Sequence, residues 1–440
     1  MFTMLGSRYS LCDGISRRGF LRVGGLGLCG LSLADLLRLQ AKGQASPANP
    51  MKSVIMLFLP GGPSHIDMYD LKPDAPVEYR SPFKSIQTAV PGLDICEHMP
   101  LQAKIANRFT LVRSIRMPPQ GSHFTESLLS GYQTKELSAG QPGTTDVPRP
   151  AFGCAVSRLR RADCGALPYV SIGGSSRGVG RFVGETPSYL GAAHGPFFAT
   201  GPEAKDLILP AGMTLDRLAD RKAILGSFDT LRRDIDVKGE MAARDAYTAR
   251  ALDLVAASRV RDAFDLDREP ESLRQRYRGW ENLLLARRLV EAGVRVVTLS
   301  YSDWDGHGKI FPGLKGQLSV LDKGVATIIA DLHERGLDQQ VTVVVWGEFG
   351  RTPRINQFAG RDHWNDVNFA LFAGGGLRMG QVIGATDARA ERVVSRVYSH
   401  HNVLATVYHL FGIDPALTFL DQLGRARPIL DDPKPIAELV

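Results

Sequence analysis

Carboxylates and imidazoles recur in this chain just after hydrophobic, strand-like runs. Asp303, Asp305 and His307 follow the run from Val294 to Tyr301. Glu348 follows a second run, Val341 to Trp346, and His363 lies shortly beyond in Arg361-Asp-His-Trp-Asn365. In an open α/β sheet, ligands collect outside the carboxyl ends of the strands. Divalent metals accept imidazole nitrogen and carboxylate oxygen together. Asp303 and His307 have Asp-x-x-x-His spacing, Asp305 and His307 the tighter Asp-x-His. Taken singly, each residue has an ordinary reading as a turn aspartate, a hydrogen-bonded histidine or a solvated glutamate. Five such residues at matching places after strands point instead to one shared metal site.

Two other stretches offer chemistry. The turn after the first strand, Gly61-Gly-Pro-Ser-His-Ile-Asp-Met-Tyr-Asp70, brings Asp67 or Asp70 to the same edge, with His65 a weaker candidate. A Gly-Pro turn with polar decoration is the competing reading. Between Gln120 and Gly131, Ser122 and Thr125 are candidate nucleophiles that metal coordination would activate, and His123 is a candidate ligand or acid–base partner. A hydroxyl cap on a short helix explains the same residues. Arg351 has the planar fork that grips an anionic oxygen or pairs with a structural carboxylate. His400-His401 reads as the cap of the last helix, and Gly374 to Gly376 lacks the spacing of a phosphate-cradling loop.

The elements that must position these residues alternate. Ser53 to Leu59 reads as a buried strand ending in a Pro-Gly-Gly turn. A helix is expected near Met99–Asn107, strands at Thr110–Arg113 and Tyr169–Ile172, and a short helix at Thr125–Ser130 closed by Gly131. Trp280 to Gly293 reads as a helix ended by glycine, and Leu314 to Arg335 as an amphipathic helix ended by Gly336. Phe369 to Ala373 reads as a strand, His401 to Phe411 as the final helix. Strand–helix–strand alternation predicts a parallel sheet with crossover helices. One large α/β domain is expected, with a helical insertion at about 205–275.

Of the 440 residues, 44% are hydrophobic and 22% charged, which is ordinary for a globular protein. The net charge is +7, but the first 45 residues hold six basic and two acidic side chains, leaving +3 for the remainder. That balance gives no argument for nucleic acid. No segment is apolar enough for stable membrane insertion. The start reads as an address: Ser16-Arg-Arg-Gly-Phe-Leu-Arg22 resembles the twin-arginine export signal, followed by a short glycine-rich apolar run and small residues near Ala45. The expected division is a signal at 1–45 and an α/β domain at 46–440, with the protein periplasmic or extracellular. Removing the signal leaves Cys96, Cys154 and Cys164, of which the last two could pair; three cysteines form no disulfide framework.

Taken together, Leu284 to Val297, Trp304-Asp-Gly-His307, Gly347-Glu-Phe-Gly-Arg-Thr-Pro353, Arg361-Asp-His-Trp364 and Gly61-Gly-Pro-Ser-His-Ile-Asp67 resemble domain-of-unknown-function family 1501. That family is similar to the sulfatases of the alkaline-phosphatase superfamily. The resemblance implies a sandwich with a central, mostly parallel sheet flanked by helices, and one or two divalent ions such as zinc, manganese or calcium. It assigns Asp303 or Asp305, His307 and His363 to one ion, and Glu348 with Asp67 to a second. Counting back from Ser130-Gly131 to the superfamily's nucleophile lands on Gly121, beside Ser122. Two departures stand out: no Cys-x-Pro-x-Arg signature occurs, and Phe349 replaces a histidine expected beside the second strand's carboxylate. The function implied is an exported, metal-dependent hydrolase of sulfate or phosphate esters. Its partners would be an anionic ester, sulfated or phosphorylated glycans among them, and the twin-arginine translocase. The alternative is a non-catalytic periplasmic or surface binding protein that retains the fold.

Overall fold

A computed structural model describes residues 52–118, 123, 125–132, 149–160, 167–174, 184–199, 217, 220, 224 and 258–440. The export-signal region, Ser122 and Cys164 lie outside the described residues. So does most of the expected insertion, whose described end carries two helices, Ser258–Phe264 and Glu271–Arg276. Contacts divide the chain into residues 1–50 and 51–440, and every described residue belongs to the second unit.

Nine strands form the main sheet: β1 Ser53–Phe58, β2 Phe109–Arg116, β3 Tyr169–Gly174, β4 Phe197–Phe198, β5 Val296–Ser300, β6 Val341–Trp346, β7 Asn368–Gly374, β8 Gln381–Ile383 and β9 Tyr398–Ser399. Their order is β8-β2-β7-β6-β1-β5-β3-β4, with β9 also beside β2. Strand β7 alone runs against the rest, antiparallel to both β6 and β2. It is reached from β6 through a small antiparallel ribbon, Gly350–Arg351 with His363–Trp364, instead of a crossover helix, and such a return reverses direction. The strands β6, β1 and β5 lie side by side and parallel. Each is buried at every residue, which is why they read as unbroken apolar runs.

Alternate side chains feed two cores. Ile55, Leu57, Val343 and Val345 face one, Val54, Met56, Val344 and Trp346 the other. Of the described helices, α1 is Thr125–Ser130, α2 is Glu281–Glu291, α3 is Ile310–Glu334 and α4 is His400–Leu410. Helices α2 and α3 cover the first face through Leu283, Leu284, Leu318 and Leu321; α4 and the helix Phe152–Leu159 cover the second through Val403, Leu404, Phe152 and Val156. Helix α3 begins four residues before its expected start, since Pro312 in its first turn needs no intrahelical donor. The last helix corrects a reading. Ser399, not the histidine pair, is its cap, in a reciprocal capping box with Asn402. His400 and His401 stand in the first turn, and the Nε2 atoms of both reach the carbonyl of Gly131, at 2.9 and 2.5 Å, so α4 is tied to the end of α1.

Two buried guanidinium groups hold the loops at the carboxyl edge. Arg351 donates to the carbonyls of Gly62 (2.9 Å), Arg361 (3.0 Å) and Trp304 (3.2 Å), to that of Gly61, and to Asp305 Oδ1 (2.6 Å). It is 1% exposed, so the fork expected to grip substrate is instead occupied by the protein's own loops. Arg361 pairs with Asp67 through two bonds of 2.8 and 3.1 Å and also reaches the carbonyls of Thr352 and Tyr79. Removing one partner of a buried pair leaves the other charge stranded. Arg351→Ala would leave the carbonyls of Gly61, Gly62 and Arg361 without their donor and is expected to lower stability by about 1–3 kcal/mol in chemical denaturation. A variant that folds normally and only raises KM would return Arg351 to the substrate.

A separate polar cluster lies between β3 and β5. Glu185 Oε1 accepts from Tyr169 Oη (2.8 Å) and from Thr298 Oγ1, inside the apolar layer. Burial pushes its carboxyl up to about 7, against the lowering effect of those hydroxyls. An acid whose folded-state value lies above its unfolded one holds its proton longer in the native state. Stability therefore falls as pH rises between roughly 4.5 and 7. The loss amounts to about 3 kcal/mol by linkage. Glu185→Gln should flatten this part of a stability-versus-pH curve, and an unchanged slope would remove the assignment.

Candidate metal centre

Neighbouring strand ends supply the site. Asp305 and His307 come from the loop after β5, Glu348 from the turn after β6, and His363 from the returning ribbon. His123 arrives from the segment between β2 and α1. Around Asp305 the three imidazoles close in: His307 Nε2 lies 2.9 Å and His363 Nε2 3.2 Å from Oδ1, and His123 Nε2 lies 3.3 Å from Oδ2. His123, Asp305 and His363 each place a ligand atom within 4.8 Å of the others. The ring centroids of His307 and His363 are 5.0 Å apart, those of His123 and His363 4.6 Å.

The tautomers follow from what stands behind the rings. His307 Nδ1 is 2.7 Å from Asp362 Oδ1, and His123 Nδ1 is 2.7 Å from Glu348 Oε1. A carboxylate at Nδ1 accepts a hydrogen bond from Nδ1–H and leaves Nε2 of the neutral ring as the lone-pair donor, the arrangement that fixes metal-binding histidines. In the neutral rings so oriented, the two Nε2 atoms present lone pairs beside the Asp305 carboxylate, a donor set that suits a cation. His123 Nε2 is buried with no hydrogen-bond partner among the described residues. A tetrahedral ion with bonds of about 2.0–2.2 Å sets its ligand atoms about 3.3–3.6 Å apart, close to the spacings here. The residues present therefore fit a divalent metal.

Electrostatics differ from ring to ring. Burial acts to raise the Asp305 carboxyl, but bonds from Arg351 and His363 outweigh it and hold the group well below the ordinary carboxylate range. The bond to Glu348 raises the His123 imidazole. Burial lowers that of His363, which favours the neutral, ligating form. Phe349 lies 4.4 Å from the His363 ring and 5.2 Å from that of His123, an apolar floor under both.

Of the expected ligands, Asp305, His307 and His363 come together. Glu348 stands one bond behind, fully buried, accepting from the Gly61 amide (2.7 Å) and orienting His123. Asp67 is not among them, because Arg361 and Ser64 take its oxygens. Asp303 shapes the turn, its Oδ1 accepting from the Asp305 amide at 3.1 Å. Thr125 is the first residue of α1, two positions beyond His123. His65 is buried against the carbonyl of Ala390, and Asp70 pairs with Lys72 and Arg113. The sequence reading missed Asp362 as the partner of His307, although its place directly before His363 marked it. Asn356, which holds both the His307 carbonyl (3.0 Å) and Asp362, carries no sequence signal of that kind.

No curated protein matches this chain. Among solved structures it is distantly similar to the PsFucS1 sulfatase from Pseudoalteromonas sp., at 13% identity and a TM-score of 0.39, covering 87% of this chain and 70% of that one. The phosphonate monoester hydrolase SpPMH from Silicibacter pomeroyi gives 13% and 0.35, over 84% and 74%. The zinc complex of the C-terminal periplasmic domain of EcEptC from Escherichia coli gives 10% and 0.35, over 89% and 93%. The family model described as "Protein of unknown function (DUF1501)" matches residues 51–440, and the chain belongs to that family.

Proposed function

We propose that this protein is an exported, metal-dependent hydrolase of sulfate or phosphate esters. The observation that carries the reading is the convergence of His123, His307 and His363 on the Asp305 carboxylate from separate strand ends. These four residues would hold a divalent ion of zinc, manganese or calcium type. When bound, such an ion supplies Lewis-acid polarisation of an ester oxygen and lowers the pKa of a coordinated hydroxyl or water. The chain's own groups keep the site competent. Glu348 and Asp362 hold the Nδ1 protons of His123 and His307, and Arg351 fixes Asp305 in its ionised form. Ser122 and Thr125 remain the proposed nucleophiles, since both flank His123 in sequence.

Protein purified without chelator should contain about one to two equivalents of a divalent metal by elemental analysis. It should hydrolyse aryl sulfate or phosphate esters, lose that activity to a chelator and regain it with zinc, manganese or calcium. His307→Ala and His363→Ala should abolish both metal retention and turnover. Glu348→Gln should weaken metal affinity by about 10–100-fold, as expected for a group that only orients a ligand. If metal is absent and no ester is turned over after metal addition, the hydrolase reading fails and a non-catalytic binding protein replaces it. Ser122→Ala and Thr125→Ala separate the hydroxyls: full turnover in both would assign the attack to water.

The address at the start is tested independently. Replacing the pair, Arg17→Lys with Arg18→Lys, should leave the full chain in the cytoplasmic fraction of an expressing bacterium. Unchanged export would exclude the twin-arginine route.

A further inference from the structure

His363 lies on the border between the metal centre and a cleft of about 790 Å³, which has Met117, Val397, Trp364 and Tyr398 in its walls and Arg116 among its lining residues. That volume lies within the range of small-molecule sites, roughly 300–1,000 Å³. The Trp364 ring is pinned by its indole N–H, which donates to the Glu391 carbonyl at 2.9 Å. Tyr398 is held in turn by a hydroxyl bond to Glu438. Fixed aromatic rings and aliphatic walls suit the flat or weakly polar face of an organic ring.

The cation matters most. Arg351 and Arg361 are buried and occupied by the fold. Arg116 is not: its side chain is 66% exposed and among the described residues its ion pair is with Asp366, itself 39% exposed, at 3.1 Å. An exposed pair of this kind is worth about 0–1 kcal/mol, so a ligand anion exchanges for Asp366 at little cost. Arg116 also ends β2, which fixes its backbone while the long side chain projects into solvent. Opposite charges limit what enters. Asp366 and Asp432 also line the cleft and oppose a polyanion, so a single anionic group enters only by taking the place of Asp366 on Arg116.

We propose that this cleft seats the organic part of the ester and that Arg116 is a specificity-determining residue, selecting esters whose organic part carries one anionic group of its own, such as a carboxylate. The proposal rests on the hydrolase reading and names the substrate class for that site.

The test pairs two aryl monoesters that differ by a single ring carboxylate, 4-nitrophenyl and 3-carboxy-4-nitrophenyl sulfate, and the corresponding phosphates. The metal-loaded full chain should show a KM about two- to fivefold lower for the carboxylated ester, the most that one exposed ion pair supplies. Arg116→Gln should erase that preference, and Arg116→Lys should restore part of it through its point charge. Equal KM values for the two esters, or an Arg116→Gln loss that is the same for both, would overturn the proposal. If neither ester is hydrolysed, the hydrolase reading has failed by itself. The cleft is then tested by calorimetric titration of 4-sulfobenzoate and benzenesulfonate. Tighter binding of the dianion by the wild type, lost in Arg116→Gln, supports the cleft; no difference between the two probes refutes it.

Discussion

Burying the guanidinium of Arg351 is the constraint on which the carboxyl edge of this sheet depends. A charge taken out of water costs several kcal/mol unless every donor finds a partner. Here the partners are carbonyls of the turn after β1, the loop after β5 and the loop before His363, plus the Asp305 carboxylate. Satisfying one cation therefore fixes three loops that sequence places up to 300 residues apart. Arg361 repeats the device one step outward, joining Asp67 to the carbonyls of Thr352 and Tyr79. The cluster around Asp305 is held in place by two buried cations whose donors are taken up by the fold.

That arrangement determines the charge state of the site. Asp305 receives Arg351 and His363 at one oxygen, so it stays ionised despite partial burial. A carboxylate already neutralised by Arg351 would make a weak ligand on its own. The imidazoles gather around it, and Glu348 and Asp362 orient the His123 and His307 rings through Nδ1. The acidic residues thus fall into two classes. Asp305 faces the centre, while Glu348 and Asp362 work through the rings.

Much of this was legible in the sequence, for an identifiable reason. Strands β1, β5 and β6 are buried on both faces, so they announce themselves as unbroken apolar runs, and their carboxyl ends could be located to within a residue or two. Glycine stops at Gly293 and Gly336 have positive φ, as their helix-ending reading requires. What the sequence could not decide was which polar residue faced the centre. Asp67, Asp303, Glu348 and Arg351 have the right types in the right loops, but partner choice is set by long-range packing. Asp67 turned to Arg361 and Arg351 to backbone carbonyls because both sites are dry, and a dry charge takes the nearest complete set of partners. The antiparallel course of β7 was hidden similarly, since a strand's own residues do not record its neighbour's direction.

Side chains as short as Asp305 and His307 can share a centre only if their loops pack backbone to backbone, and glycine is what permits it. A Cβ on Gly61 would stand 2.4 Å from the Asp305 amide nitrogen, and one on Gly360 would stand 2.2 Å from the His307 carbonyl carbon. Neither obstacle is a flexible side chain that could move aside. Gly61 in addition has φ +99°, a conformation that other residues rarely adopt. Gly62 leaves room for the Phe349 ring, which a Cβ there would meet at 2.3 Å, and that ring floors His123 and His363. Phe349, where a further histidine was expected, thus fills a packing role. An imidazole in that place would bring polar nitrogens into a fully buried position whose neighbours on one side are Gly62 and a guanidinium already satisfied by other partners. The substitution removes one ligand from the expected set and gives the remaining imidazoles an apolar support, so the chemistry of the site is concentrated on the Asp305 side.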